Sequence, residues 1–210
     1  MTLQEMVQPY TMASPERINR LIDNAIAANE NRIEGDMVEC GVCNGGSAAV
    51  LAYFATKASI ARRTWLFDSF EGLPATTKED LPSANGNTAE SCIGQCVGSI
   101  ETVKQVLSLV GADMRSVNII KGWFTDTFPK FSPQIEKIAM LNLDSDWYES
   151  EKLCLETFYD KVVEGGFIYF DDFFYWPGCR KAVEEFFAKH PSKMPMFNRV
   201  GHSMWLQKGF

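Results

Sequence analysis

The chain has 210 residues, 46% hydrophobic and 22% charged, which is enough for one sizeable core and predicts a single domain over 1–210. A net charge of -7, with Lys57, Arg62 and Arg63 as the only dense basic patch, excludes a nucleic-acid partner, because phosphate binding needs clustered cations. No apolar run reaches membrane-spanning length and the N-terminus lacks the basic-then-apolar layout of a secretion signal, so a cytoplasmic protein without membrane association is expected.

Ser14, Pro15 and Glu16 supply a cap, an N1 proline and a first-turn acid. Ile18, Leu21, Ile22, Ala25 and Ile26 follow at helical spacing, predicting a helix over 15–29 whose apolar face serves the core or a homodimer contact. Asp36 to Gly41 reads as a short strand, entering a glycine loop over 42–47 and an alanine-rich helix to about Thr56. Strand, glycine loop and helix form an anion cradle, since backbone N–H groups at a helix N-terminus can approach a ligand. The next strand, Thr64 to Asp68, ends in an acid that can accept the hydroxyl protons of a ribose or, alternatively, cap a turn.

Residues 75–98 are polar and aperiodic, as expected of a lid loop. A helix through Ile100, Val103, Val106, Leu107 and Val110 stops at Gly111, and Val117 to Gly122 reads as a third strand with Trp123 and Asp126 at its mouth. Ile138 to Leu143 and Gly166 to Phe170 are apolar runs that read as buried parallel strands, separated by a helix over about 150–163. A further helix starts after Pro177 and Gly178, and 197–200 with 203–207 suit a terminal antiparallel hairpin. The sum is a Rossmann-like, doubly wound α/β fold, with a mostly parallel seven-stranded sheet and a C-terminal antiparallel strand.

Both late apolar runs end in aspartates, Asp144 and Asp146 after the first, Asp171 and Asp172 after the second. Carboxyl ends of parallel strands open into the ligand crevice, so these acids converge on one small volume. Like charges at that density need a bound cation or raised pKa values, and oxygen ligands of this kind suit magnesium, calcium or manganese. Each pair alone could also serve a turn or a helix cap, and Arg180 could neutralise one acid. Cysteines 40, 43, 92 and 96 only loosely mimic a zinc site, and buried thiols fit better because Cys40 closes an apolar strand. Trp147 and the aromatics Phe170, Phe173, Phe174, Tyr175 and Trp176 could be core, but most lie past the strand end, and several of them are expected to wall an acceptor pocket.

A glycine loop after the first strand and an acid after the second describe a site for an adenosine-bearing cofactor. The loop is Gly41-x-x-x-Gly45-Gly46 rather than Gly-x-Gly-x-x-Gly, and Glu39 would repel a pyrophosphate. Glu39 could instead receive an ammonium group, as in the methionine end of S-adenosylmethionine.

The blocks Val38-Glu39-Cys40-Gly41-Val42-Cys43-Asn44-Gly45-Gly46, Phe67-Asp68-Ser69-Phe70-Glu71-Gly72-Leu73-Pro74, Lys121-Gly122-Trp123-Phe124, Leu143-Asp144-x-Asp146-x-Tyr148-Glu149-Ser150 and Asp171-Asp172 through Gly178-Cys179-Arg180 together resemble the macrocin O-methyltransferase family, from about Tyr10 to Phe187. These are metal-assisted enzymes of antibiotic sugars and related hydroxyls, on the class I methyltransferase fold. The resemblance implies that Thr11 and Met12, in an N-terminal helical lid over 1–30, close over the methionine end of S-adenosylmethionine. Glu39, Gly41, Gly45 and Gly46 would surround its amino acid part, Asp68 its ribose, and Ser69 and Trp123 its ribose or adenine. Asp144, Asp171 and Asp172 would hold Mg2+, and Asp144, Asp146 or His202 would take the proton from a small-molecule acceptor, a sugar or a phenol. A metal-independent N- or C-methyltransferase, an NAD-dependent dehydrogenase and a non-catalytic cofactor-binding module are the alternatives. The family pattern has glycine where this chain has Ser145 and an aliphatic residue where it has Trp147, both on the acceptor side.

Overall fold

Alternate side chains of each strand leave the sheet on opposite faces, and here both faces are apolar. Met37, Leu66, Met140, Phe167 and Tyr169 join one buried layer, while Val38, Trp65, Phe67, Leu141, Ile168 and Phe170 join the other. Such strands must be covered on both sides, which forces a helix, sheet, helix sandwich. The computed structural model describes residues 1–80, 86, 88–191 and 196–210. Of the lid loop expected over 75–98, residues 81–85 and 87 lie outside the described residues.

In chain order the elements are α1 (Leu3–Val7), α2 (Pro15–Glu30), β1 (Asp36–Cys40), α3 (Gly46–Lys57), β2 (Thr64–Asp68), α4 (Ile100–Leu109) and β3 (Val117–Lys121). Then come α5 (Phe124–Phe131), β4 (Ile138–Leu143), α6 (Tyr148–Phe158), β5 (Val162–Phe170), α7 (Pro177–Lys189), β6 (Phe197–Val200) and β7 (Ser203–Gln207). The strands form one seven-stranded sheet in the order β3-β2-β1-β4-β5-β7-β6. Pairing is parallel from β3 through β5 and antiparallel for β5 with β7 and β7 with β6. Residues of α2, α3 and α4 pack on one face, and Phe128, Leu155, Phe158, Val183 and Phe187 from α5, α6 and α7 on the other. Among the described residues no helix is long and apolar enough to cross a membrane.

Several boundaries differ from the sequence expectation for physical reasons. The fifth strand starts at Val162 rather than Gly166, because its pairing with β4 shifts register after Ile138 and the strand carries an irregularity around Gly165 and Gly166. α6 accordingly begins at Tyr148 and ends at Phe158, not over 150–163. α5 carries Pro129 inside it, and this proline masked a short helix in the sequence. On α2, Ile18, Leu21 and Ala25 are fully buried against the sheet and α3, while Ile26 is exposed.

Strand order reverses between β1 and β4, which places a crevice where their carboxyl ends diverge. Backbone bonds continue the ladder beyond the strand ends, from Asp144 N–H to Cys40 at 2.9 Å and from Asp171 N–H to Leu143 at 2.8 Å. Those two bonds bring both acidic tips to the same level of the sheet. Gly41, with φ +88°, lies so close that a Cβ would sit 1.7 Å from the Asp144 carbonyl oxygen. Gly41→Ala is therefore expected to cost at least about 3 kcal/mol, read from urea unfolding. A variant unfolding at the wild-type midpoint would show that the two loops can part without penalty.

Candidate active site

A crevice of about 1370 Å³ opens along the carboxyl ends of β1, β2, β4 and β5. That volume exceeds what one drug-sized ligand fills, leaving room for a cofactor and an acceptor together. Thr11, Met12, Gly41, Gly46, Asp68, Ser69 and Trp123 line it, as do Asp144, Asp146, Asp171, Asp172 and His202. Glu39 and Gly45 do not line it: Glu39 is fully buried beneath the floor, and Gly45 caps α3 with its α-carbon against Val103.

At one end of the crevice, Thr11 lies directly over Gly46, where a Cβ would come within 2.7 Å of the threonine side chain. Met12 beside it also lines the crevice and is 80% exposed. Asp68 does more than face the crevice. Its Oδ2 accepts the N–H groups of Val42 and Cys43 at 2.7 and 2.9 Å, and its Oδ1 that of Phe70 at 2.6 Å. The carboxylate thus braces the glycine loop as well as lining the site. Ser69 is similarly engaged, its hydroxyl donating to the Gly72 carbonyl and accepting the Glu71 N–H. Trp123 stands at the rim, 37% exposed.

The tips of β4 and β5 make the neighbouring part of the crevice acidic. One carboxylate oxygen from each of Asp144, Asp171 and Asp172 lies within 4.8 Å of the others. Burial, followed by repulsion from Asp171, holds the Asp144 carboxyl well above the ordinary range, and burial with repulsion from Asp146 and Asp171 does the same to Asp172. Asp172 Oδ2 is buried without a hydrogen-bond partner, a state that a positive ion would relieve. Among the described residues this is the one group of metal-ligating side chains, and no cysteine belongs to it.

Asp146 occupies a tight turn, with φ +58° and the Trp147 N–H 2.6 Å from the Ser145 carbonyl. A non-glycine residue held there stores about 1–3 kcal/mol of strain, a feature that concentrates at functional sites. The Trp176 indole N–H steadies its Oδ1 at 3.0 Å, and burial plus Asp171 raise its carboxyl to about 7. Trp147 and Trp176 meet edge to face at 4.8 Å, with the Trp147 indole N–H donating to the Pro74 carbonyl. Trp147, Tyr175 and Trp176 line the crevice, whereas Phe170, Phe173 and Phe174 of the expected aromatic wall pack in the core behind the sheet. His202 is exposed at the rim against the Tyr175 ring.

Several polar side chains of the site were not singled out from the sequence. Arg17 pairs with Asp171 and donates from Nη2 to Asn142 Oδ1 at 2.9 Å, while Asn142 Nδ2 donates to Glu39 Oε1 at 2.6 Å. Glu39 and Asn142 face each other in register on β1 and β4. Arg180, the expected partner of an acid, pairs instead with Glu184 on its own helix. Asp80 accepts the first N–H of α6, from Tyr148, at 2.8 Å and so ties the loop after Pro74 to the start of that helix. The available signals were a polar Asn142 inside an apolar strand and an arginine beside the apolar stripe of α2.

Residues 5–208 match the family model described as Macrocin-O-methyltransferase (TylF). Mycinamicin III 3''-O-methyltransferase of Micromonospora griseorubida is 34% identical over 187 residues, covering 86% of this chain and 71% of that protein. Demethyldecarbamoylnovobiocin O-methyltransferase of Streptomyces niveus is 30% identical over 175 residues, covering 83% and 65%. The chain thus spans 65% to 71% of the length of these curated relatives. The solved O-methyltransferase NovP superposes with a TM-score of 0.78 at 27% identity, covering 94% of this chain and 81% of that one. The calicheamicin methyltransferase CalS11 shares the fold, with a TM-score of 0.72 at 19% identity over 99% of this chain and 90% of that one.

Beneath the acidic loop, Ser145 Oγ donates to Glu151 Oε2 at 2.6 Å, and burial raises the Glu151 carboxyl to about 8 against this bond. A folded-state pKa above the unfolded value means the native state holds a proton that the unfolded chain has released, so stability falls as pH rises from about 4.5 to about 8. Glu151→Gln removes that loss: its melting temperature at pH 8 should exceed wild type by about 3 °C, with little difference at pH 5. Equal melting curves at both pH values would mean Glu151 is ionised in the native protein.

Proposed function

Because the chain belongs to the macrocin O-methyltransferase family, we propose that it transfers the methyl group of S-adenosylmethionine to a hydroxyl of a small natural product, a sugar or a phenol, with the assistance of Mg2+. The supporting observation is the convergence of Asp144, Asp171 and Asp172 at the crevice, with one buried carboxylate oxygen left uncompensated. An oxygen acceptor is supported by the relatives, each of which is named as an O-methyltransferase.

Thr11, Met12, Gly41 and Gly46 hold the amino acid end of the cofactor, with Glu39 and Gly45 supporting them from behind, and Asp68, Ser69 and Trp123 hold its adenosine. S-adenosylmethionine, when bound, supplies an electrophilic methyl carbon on a sulfonium. Displacement there is in line, so the protein's first contribution is to align the acceptor oxygen between the tryptophan wall and the cofactor. Asp144, Asp171 and Asp172 would hold the Mg2+, which would supply acidification and a fixed position for a hydroxyl bound to it. Asp146 stands ready to receive the proton, because its oxygen is oriented by Trp176 and its pKa lies close to neutrality. His202 at the rim, or Asp144, is the other candidate base. Within one methyltransferase domain over 1–210, the segment around Thr11 and Met12 and the described residues of 75–98 act as lids, whereas α2 is a packed core helix.

Asp172 gives the sharper test, because Asp171 also neutralises Arg17 and its loss would strand a buried cation. Asp172→Asn removes one charge from a crowded cluster, so it should melt at or above the wild-type temperature and bind S-adenosylhomocysteine within about twofold of wild type. Its turnover should fall by at least about 100-fold. Wild-type activity should vanish on chelation and return with Mg2+. Full turnover after thorough chelation would remove the metal from the mechanism and leave cofactor binding untouched.

A further inference from the structure

Arg17 is the sole lysine or arginine among the described residues lining the crevice, and it stands at the acidic end. Its side chain is almost wholly buried on α2. Nε is ion-paired with Asp171 Oδ1, the same oxygen that receives the Ser203 hydroxyl at 2.5 Å. Through Nη2 the guanidinium continues to Asn142 and thence to Glu39, so one chain of contacts joins the floor beneath the glycine loop to the acidic corner. Nη1 is buried without a hydrogen-bond partner, and the planar guanidinium is held through its other two nitrogens.

We propose that Arg17 is an internal counter-cation, a positioning residue that keeps Asp171 facing Asp144 and Asp172 before a dication arrives and lowers the affinity of the corner for that dication. The inference rests on the metal reading above. Three carboxylates this close repel one another, and a fixed guanidinium against one of them offsets part of that repulsion. The same positive charge opposes an incoming dication, so the cluster is held in shape at the expense of tighter metal binding. Lysine would keep the charge but lose the planar fork that reaches Asn142 and Asp171 together.

Mn2+ serves as the probe, with its affinity measured by titration calorimetry and its effect on melting temperature measured in parallel, neither of which depends on turnover. Arg17→Gln should melt below wild type without metal, bind Mn2+ roughly tenfold more tightly, and gain a larger increment in melting temperature from saturating Mn2+. Arg17→Lys should bind Mn2+ within about threefold of wild type. An Arg17→Gln protein that folds but binds Mn2+ with unchanged or weaker affinity overturns the proposal. If that variant shows no cooperative melt at any Mn2+ concentration, Arg17→Lys decides, and a tenfold loss of its Mn2+ affinity overturns the proposal equally. Wild type that neither takes up Mn2+ nor gains stability from it brings down the metal reading, and this inference with it. Binding by wild type with no change in Arg17→Gln removes the inference alone.

Discussion

Negative charge is concentrated at the carboxyl edge of this sheet. Asp144, Asp146, Asp171 and Asp172 line one end of the crevice and Glu39 lies under its floor, against a single buried guanidinium. Burial makes each charge expensive and proximity raises that cost, so the Asp144, Asp146 and Asp172 carboxyls are held above their ordinary range. Much of the local architecture can be understood as a response to this crowding. Trp176 and Ser203 each give a hydrogen bond to one acid, Asn142 links Arg17 to Glu39, and the β4 and β5 tips are pinned by backbone bonds that leave their side chains nowhere else to go.

The glycine loop shows the same economy of parts. Asp68 faces the crevice and also receives three backbone N–H groups that would otherwise lack partners. A residue with both duties links the shape of the loop to the presence of an acid at the end of β2. The two tryptophans of the crevice wall use their indole N–H groups on Pro74 and Asp146 and pack edge to face against each other. Apolar walls with fixed polar edges suit a ligand that must present one oxygen in one direction.

The sheet and the acidic tips were legible because their signals are local: uninterrupted apolar runs mark strands buried on both faces, and the next residues fall at the crevice by topology alone. Helix α5 was obscured by Pro129, and the true start of β5 by the glycines at its irregular point. The polar connections were harder to foresee, since Arg17 meets Asn142 across 125 positions of sequence. An arginine beside an apolar stripe and an asparagine within a strand are each unremarkable until the fold brings them together. Arg180, nearer in sequence to the acids, was the more natural partner to expect, yet it points along its own helix to Glu184. The Ser145–Glu151 pair lay within a single turn of helix and its loop, but nothing in composition distinguishes a buried glutamate from a solvated one.

Asp171 is gripped by two elements far apart in sequence, by Arg17 on α2 and Ser203 on β7. During translation the four aspartates of this corner leave the ribosome well before that serine does. The nascent domain therefore passes through a stage in which its most self-repelling region has been made but lacks its final restraint. Asp171 therefore reaches its full set of partners only once the β6–β7 hairpin has closed on β5.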